Sequence, residues 1–412
     1  MNLLSISFKN LKHKVLDTAL AIFLLSFGVG IISLMILLKD QISSKFDRNI
    51  KDIDFVLAAK GSPIQSILAN VYHVDVPTGN IPIAEAKRII RNPMVEDAIP
   101  LAYGDNYEKY RIVGTNDHYP KHYGCEISEG RMFEKPFEVT LGAEVARQTG
   151  MKVGSTFTSM HGYDNAAESD PDAHHDHSPF VVVGVFHASG SVIDQLILTP
   201  VESVWLVHEH KDEVADTTQS AAADSALVVE EPQREMTAYL IKKRNRGAFG
   251  MLSKQVEKTT MQLANVAVEN SRLMNNFGLG LSVITAIAIV IMVLSFISIF
   301  ISLLNSMKER KYELALMRTM GASPSKVFSL IMIEGFLLVV LGVFVGLLLS
   351  RCGLLILSTA MQSEFHYQLN QLAPTGLELL LVAGTIVIGL LASAIPAIRA
   401  MRVDISKTLS NG

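Results

Sequence analysis

Four long apolar runs stand out in the pattern of hydrophobic and polar positions along the chain. Runs at 18–38, 279–304 and 379–398 contain no charged residue, and the run at 327–350 contains only Glu334. About 20 helical residues cross ~30 Å of hydrocarbon, because each residue rises about 1.5 Å. The pattern therefore predicts four transmembrane helices. The first run exceeds the ~7–15 apolar residues of a signal peptide and no small-residue cleavage site follows it, so we expect it to remain as an anchor.

The chain between the first two runs, 39–278, has a different pattern. Short segments rich in β-branched and aromatic residues, bounded by Gly, Pro or Asn, predict strands at 53–58, 111–113, 138–141, 179–186 and 238–241. Apolar spacing predicts short helices at 84–91, 143–148 and 200–207. It also predicts a stalk helix over 251–276 that runs into the second apolar run, matched by a helix over 39–50 that leaves the first. This region is therefore expected to form a large α+β domain.

Composition agrees with a membrane protein that has a large soluble part. Of all residues, 49% are hydrophobic and 18% are charged, and the mean hydropathy is +0.31. Soluble globular chains are about a quarter charged, whereas a chain made only of membrane spans would hold fewer charges. The two cysteines, Cys125 and Cys352, are too few for a disulfide-stapled scaffold, and whether they pair is open.

Basic residues orient the four predicted helices. They precede the first run, cluster between the second and third, and follow the fourth: Lys9, Lys12, Lys14, Lys308, Arg310, Lys311, Arg318, Lys326, Arg399, Arg402 and Lys407. The positive-inside rule then puts the N-terminal segment 1–17, the segment 305–326 and the tail 399–412 in the cytoplasm. The domain 39–278 and the short loop 351–378 lie outside. The fold class is thus an α-helical membrane protein with four transmembrane helices plus a large α+β extracytoplasmic domain inserted between helices 1 and 2.

The outer domain is acidic. It carries 24 Lys and Arg against 33 Asp and Glu, whereas the rest of the chain carries a net charge of +5. An acidic surface repels the phosphate backbone, so nucleic acid is not an expected partner.

The carboxylate inside the third apolar run, Glu334, has two interpretations. An intramembrane acid is a functional candidate by default. Alternatively, it lies near the cytoplasmic end of its helix and pairs with a basic residue such as Arg318, which is the interpretation we favour. In the same run, Gly342 and Gly346 are spaced for close helix packing.

Seven of the twelve histidines lie between 161 and 210, where the chain has a His/Asp-rich loop at 161–179. We predict that the polar stretches 162–179 and 208–232 are mobile loops, because they lack apolar periodicity. Neutral imidazoles beside carboxylates suit zinc, copper or nickel, which makes zinc the candidate metal of this protein. The candidate ligands are His161, His174, His175, Asp176 and His177. Two alternatives stay open, a solvated insertion of His-rich composition and a pH sensor. A second, looser cluster consists of His118, His122 and Cys125.

Four segments of the chain resemble the MacB/FtsX-type permeases of ABC transporters. "ERKYELALMRTMGASPSKVFSLIMIEGFLL" (309–338) is similar to that family's basic helix, Gly-Ala turn and start of a span with a glutamate. "AIPAIRAMRVDISKTL" (394–409) is similar to its closing proline, arginines and short tail. Two further segments, 129–157 and 180–205, are similar to parts of its extracytoplasmic domain. The arrangement of four spans with a large loop after the first also matches.

This resemblance implies a bacterial inner-membrane protein that works with a separate cytoplasmic ABC ATPase subunit. It puts five residues at or beside the contact with that subunit: Glu309, Arg310, Glu313, Arg318 and Gly321. The resemblance also implies a dimer, either of two copies or with a homologous permease. A periplasmic adaptor or binding protein is a further expected partner. No Gly-x-x-x-x-Gly-Lys-Ser/Thr phosphate loop occurs in the sequence, so we expect no enzymatic activity in this chain, with ATP and Mg on the partner.

Two functions follow from the resemblance. The first is the permease subunit of a MacB-like transporter, which couples ATP hydrolysis to movements of its periplasmic domain and is linked through the His tract to zinc or another metal. The second is an FtsX-like signalling scaffold that activates a periplasmic partner rather than moving a substrate. The residues alone also leave a membrane-anchored metal-binding protein as a third interpretation, against which the cytoplasmic motifs argue.

Overall fold

The computed structural model describes residues 7, 9–10, 15–160, 179–207, 234–364 and 375–402, without the side chains of 360–364. The chain forms two compact units. One, the helical unit, consists of Met1–Ile42 and Asn276–Gly412, and the other, the sheet unit, consists of Ser43–Asn275. The predicted loops at 162–179 and 208–232 fall almost entirely outside the described residues.

The helical unit contains four helices that are long and apolar enough to cross a membrane. They are α1 (Val15–Asn49), α8 (Val266–Glu309), α10 (Pro324–Glu364) and α11 (Gly376–Met401), and a short helix, α9 (Lys311–Thr319), lies between the second and the third. Helices α1 and α8 continue beyond their apolar runs into the sheet unit, which agrees with the predicted helix over 39–50. Apolar faces of α1, α8 and α10 meet in a core that includes Leu25, Ile299 and Val339.

Glycines set the distance between neighbouring helices of this unit. A Cβ built on Gly346 of α10 would lie 2.8 Å from the backbone oxygen of Ser26 in α1, and one on Gly342 would lie 2.7 Å from Leu25. A side chain at Gly346 would force the helices apart because its Cβ would meet backbone, whereas one at Gly342 would require the Leu25 side chain to move. The Gly342 and Gly346 spacing therefore serves packing between α10 and α1 of the same chain.

The sheet unit is built on one long mixed sheet with the strand order β12-β1-β11-β3-β4-β9-β6-β8-β5, and β7 pairs with β8. Most neighbours are antiparallel, whereas β4–β9 and β6–β8 are parallel. The strands of this sheet are β1 (Phe55–Ala59), β3 (Val95–Tyr107), β4 (Tyr110–Thr115), β5 (Ile127–Gly130), β6 (Glu138–Leu141), β7 (Thr156–Phe157), β8 (Phe180–Phe186), β9 (Leu196–Pro200), β11 (Ala238–Lys243) and β12 (Met261–Asn265). A two-stranded sheet pairs β2 (Ile81–Pro82) with β10 (Glu235–Met236).

Short helices pack against this sheet and contribute side chains to its hydrophobic cores. They are α2 (Pro63–Asn70), α3 (Ile83–Ile90), α4 (His118–His122), α5 (Ala143–Thr149), α6 (201–207) and α7 (Ala248–Val256). Ser62 caps α2 through its side chain, which accepts from the Gln65 backbone, and Pro63 occupies the first turn. The predicted α+β fold class, with the domain inserted between the first two membrane helices, is confirmed, as are the five strands and three short helices expected within it.

The predicted stalk helix over 251–276 is wrong in its first part. The structure divides this stretch into α7, the strand β12 and the beginning of α8 at Val266. β12 pairs along its whole length with β1, from Met261 opposite Ala59 to Asn265 opposite Phe55. The apolar residues of this stretch fit a period of 3.6, but pairing with an open sheet edge favours the extended conformation.

Candidate functional site: the segment between the second and third membrane helices

The segment that carries the family motif forms a helix with a well-defined end. Helix α8 stops at Glu309, α9 follows at once, and Gly321 then adopts a left-handed backbone with φ 95°. The Gly321 N–H donates to the Arg318 carbonyl and the Ala322 N–H donates to the Met317 carbonyl, at 3.1 and 3.0 Å. This pair of bonds is a Schellman motif, in which glycine is preferred because it has no Cβ to clash. Gly321 thus ends α9 and aims the chain into α10.

One face of α9 is anchored in the helical unit. Leu314 and Ala315 are buried, and Leu314 belongs to the same apolar core as Val327 and Leu330 of α10 and Ala397 and Ala400 of α11. Burial of a leucine side chain contributes roughly 1.5–3 kcal/mol, so this face holds α9 against its neighbours.

Arg310 ties the start of α9 to the buried carboxylate of α10. Its Nη1 lies 3.0 Å from Glu334 Oε1, and its Nε lies 3.0 Å from Glu313 Oε2. Asn10 also donates to Glu334, at 2.5 Å. Glu334 is only 3% exposed, and a buried carboxylate needs such partners because its desolvation is otherwise uncompensated. The favoured pairing interpretation of Glu334 agrees with this geometry, but the partner is Arg310 rather than Arg318.

Arg318 ties the other end of α9 to α11. Its guanidinium donates to the Met401 carbonyl at 3.3 Å, where the last carbonyls of a helix have no partner within the helix. Two of the five expected contact residues, Arg310 and Arg318, therefore bond to the neighbouring helices α10 and α11. Both fix the position of α9.

The opposite face of α9 exposes an apolar stripe. Tyr312, Leu316 and Met320 follow each other at intervals of four residues and are 51, 46 and 72% exposed. Glu309 and Glu313 are exposed beside the stripe. The four-residue spacing of 312, 316 and 320 is the sequence signal that identifies this face.

A second buried carboxylate, Glu378 of α11, forms a polar cluster that the sequence analysis did not identify. Arg351 donates to both of its oxygens at 2.9 Å, and Ser33 donates to Oε1 at 2.5 Å. Ser33 also lies 2.8 Å from Ser350. The cluster joins α1, α10 and α11 and is completed by a capping box, in which Thr375 and Glu378 bond each other's backbone. A glutamate three residues after a threonine, at the start of an apolar run, was the available signal.

The candidate metal ligands His161, His174, His175, Asp176 and His177 lie outside the described residues. Among the residues that the structure does describe, no group of three or more His, Cys, Asp and Glu side chains is arranged to hold a metal ion. The looser cluster is divided among different partners.

Within that looser cluster, His118 lies 3.5 Å from Asp97 and His122 contacts the Lys51 carbonyl at 2.5 Å. Burial raises the pKa of the Cys125 thiol. Cys125 and Cys352 are both free thiols.

Comparison with known proteins identifies the class of this chain. The model of the MacB-like periplasmic core domain matches residues 18–238, and the model of the FtsX-like permease C-terminal domain matches residues 285–405. The chain belongs to the MacB/FtsX-type permease family. It accordingly combines a MacB-like periplasmic core domain with an FtsX-like permease domain, in a chain with four helices long and apolar enough to cross a membrane.

Individual relatives are distant. The chain is 24% identical over 343 residues to the Macrolide export ATP-binding/permease protein MacB 1/2 of Paracoccus denitrificans, a match that covers 80% of this chain and 47% of that protein. The chain thus spans about half the length of this curated relative. The periplasmic region of MacB from Actinobacillus actinomycetemcomitans matches 56% of this chain at 13% identity and a TM-score of 0.33, over 98% of its own length. The extracellular domain of the noncanonic ABC-type transporter YknZ from Gram-positive bacteria matches 52% at 11% identity and a TM-score of 0.29, over 99% of its length.

Proposed function

We propose that this chain is the permease subunit of a MacB-like ABC transporter, in which α9 receives the movement of a separate ATPase subunit and passes it to the membrane helices. The observation that carries the proposal is the division of α9 into two faces. Leu314 and Ala315 hold the inner face, while Tyr312, Leu316 and Met320 form an exposed stripe on the outer face. An amphipathic helix with an exposed apolar stripe is suited to a groove on a partner.

The anchors of α9 suit it to transmit force. Arg310 bonds Glu334 of α10, and Arg318 bonds the end of α11, so a push on the stripe acts on two membrane helices at once. Helix α8 runs without interruption from Val266 to Glu309, and its first residues belong to the sheet unit. Movement of the Glu309 end of α8 would therefore be transmitted to the periplasmic domain through one uninterrupted helix.

The proposal revises the roles of the five expected contact residues. Glu309 and Glu313 flank the stripe and would face the ATPase subunit directly, where charge complementarity guides association. Arg310 and Arg318 act as positioning residues, and Gly321 ends the helix. ATP and Mg are bound by the ATPase subunit. We propose that α9 and both termini lie on the cytoplasmic side, which the distribution of basic residues supports.

The assembly that we propose contains two permeases and two ATPase subunits. The second permease is a copy of this chain or a homologue, and a periplasmic adaptor or binding protein contacts the sheet unit. Transport and FtsX-like signalling both need the surface of α9. A membrane-anchored binding protein without an ATPase does not need it.

The test is co-purification of the detergent-solubilised chain with the ATPase encoded beside it. Tyr312→Ala and Leu316→Ala together should weaken the complex by at least about 30-fold, since an aromatic or apolar anchor at an interface contributes about 2 kcal/mol or more. Ile297→Ala is the matched control, because Ile297 of α8 is exposed to a similar extent, 48%, but lies away from α9. Equal binding by both variants would contradict the proposed surface.

The metal link is tested on the same complex. We propose that the His tract senses or transfers zinc, so Zn²⁺ should change the ATPase rate of the wild-type complex. The variant with His174, His175 and His177 changed to Ala should not respond. An ATPase rate that is indifferent to Zn²⁺ in the wild type would remove the metal from the function and leave the permease role in place.

A further inference from the structure

Two helix ends enter the sheet unit and share one core. Residues 43–49 are the last turns of α1, and residues 266–275 are the first turns of α8. Phe46 from the first end and Val266, Leu273 and Met274 from the second belong to or pack against the same buried cluster, which also contains Tyr72. These ends are the parts of the sheet unit that continue into membrane helices.

Tyr72 contacts both helix ends. Its ring lies 4.4 Å, centroid to centroid, from the ring of Phe46 in α1. Its hydroxyl donates to Asn270 Oδ1 in α8 at 2.9 Å, with both groups buried. Tyr72 itself belongs to neither helix, since it follows α2. One side chain thus joins an apolar contact with the first helix end to a hydrogen bond with the second.

The next residue, His73, fixes Tyr72 to the sheet. His73 has a left-handed backbone with φ 55°, a conformation that few residues other than glycine adopt and in which histidine is enriched. Its Nδ1 lies 2.9 Å from the hydroxyl of Tyr103 in β3, and its Nε2 lies 2.7 Å from the hydroxyl of Tyr119 in α4. The turn that carries Tyr72 is therefore held from two sides.

Hydrogen-bond logic assigns the proton of His73. The Tyr103 hydroxyl donates to the Ala69 carbonyl, so its oxygen accepts from His73 and the proton lies on Nδ1. The unprotonated Nε2 then accepts from Tyr119. The ring is neutral in this network, and burial together with the nearby Arg111 guanidinium holds the pKa of His73 well below its usual range. Arg111 stands 5.5 Å from the Tyr103 ring.

We infer that Tyr72 and His73 form a joint that couples the two helix ends within the sheet unit: Tyr72 links α1 to α8, and His73 links both to the sheet. A displacement of either helix end is then felt by the other through one turn of chain. The joint is a property of the sheet unit and stands whether or not an ATPase subunit binds α9. Where the proposed permease function holds, the joint is the point at which movement of the membrane helices reaches the periplasmic sheet.

The experiment measures amide hydrogen exchange of the full chain in detergent, by mass spectrometry of peptides that cover 43–49 and 266–275. Phe46→Ala should raise exchange in the α8 segment, and Asn270→Ala should raise it in the α1 segment, each by at least threefold. In a background with Tyr72→Phe, which keeps the ring but removes the hydroxyl, both of these cross effects should fall below twofold. Each substitution removes part of a single side chain, so the sheet unit is expected to stay folded.

Tyr239→Ala is the matched control for loss of a buried tyrosine ring. Tyr239 of β11 lies in a different core cluster of the same unit and is 5% exposed. It should leave exchange in the two helix ends no more affected than in the rest of the sheet, whereas Tyr72→Ala should raise exchange in both ends selectively. Cross effects that are absent in the wild-type background, or that persist with Tyr72→Phe, would overturn the joint. So would a Tyr72→Ala profile that matches the Tyr239→Ala profile.

Discussion

Buried polar sites in the two units are held by different means. In the helical unit, Glu378 is paired with Arg351, and Glu334 is paired with Arg310. At the joint in the sheet unit, the neutral ring of His73 is bonded to two tyrosine hydroxyls. A charge in a medium of low polarity must be paired, and removal of its partner leaves the full desolvation penalty. Disruption of a neutral network costs less free energy of folding, but protonation of its histidine ring can disturb it.

The two charged pairs also differ from each other. Glu378 is bound by a bidentate arginine, a serine and a threonine backbone N–H, so its partner has no competing carboxylate among these contacts. Arg310, in contrast, divides its donors between the buried Glu334 and Glu313, which is 64% exposed. The first arrangement suits a permanent tie among α1, α10 and α11. The second suits a tie that changes when α9 moves.

The largest effect is expected from breaking the permanent tie. Arg351→Leu leaves Glu378 buried without its cation and should destabilise the chain by about 3–5 kcal/mol. The measurement is thermal and denaturant unfolding of the full chain in detergent. The double variant Arg351→Leu with Glu378→Leu should recover most of this loss, because no charge is then left unpaired. If the double variant is as unstable as the single one, the charge does not account for the loss.

A smaller effect on stability is expected at the shared tie. Arg310→Leu removes one charged hydrogen bond from Glu334, whereas Arg351→Leu removes two from Glu378, so the expected loss is roughly 1.5–3 kcal/mol. Glu313→Gln is the control and should change stability by about 0.2–1 kcal/mol, since its carboxylate is largely in solvent. Arg310→Leu should also change the ATPase rate of the complex, by more than the loss of stability alone explains. An unchanged rate would argue against a role for Arg310 in positioning α9.

The smallest effect is expected from titration of the neutral network. His73 has a pKa below its usual value of 6.5 in the folded chain. Above pH 6.5 the His73 ring is neutral in both the folded and the unfolded chain. Below pH 6.5 this ring binds a proton in the unfolded chain but not in the folded chain. Stability should therefore fall by about 1.4 kcal/mol between pH 7.5 and pH 5.5, if the pKa in the fold lies below this range.

The control for this titration is His73→Asn, because asparagine also tolerates the left-handed backbone but does not titrate. Unfolding curves at the two pH values should then differ by less than in the wild type. A pH dependence that is identical in both chains would assign it to other groups.

Much of this architecture can be predicted from the sequence, because the strongest signals are local. The apolar runs at 279–304 and 379–398 lie within α8 and α11, and runs rich in β-branched and aromatic residues locate strands such as β6 and β8. The turn at Gly321 and the start of α10 at Pro324 follow from the backbone preferences of glycine and proline.

The missing parts depend on how distant segments meet. By sequence alone, Arg310 and Arg318 are equally plausible partners for Glu334. Only the angle between α9 and α10 decides between them. The segment of β12 forms a strand because it pairs with β1, which lies some two hundred positions earlier in the chain. Tyr72 and His73 carry no motif, since their importance arises from contacts with Phe46, Asn270, Tyr103 and Tyr119.

The pairing of β1 with β12 makes the periplasmic domain a module. Phe55, close after α1, stands opposite Asn265, immediately before α8, so the chain comes into the domain and goes out of it on adjacent strands. Such strands are about 4.8 Å apart, which is the geometry in which one domain is readily inserted into another. The domain can therefore be exchanged as a cassette while the separation of its two flanking helices is kept. Chimeras that join the helices of this chain to a foreign domain with similarly close ends are the natural way to reassign what the protein acts on.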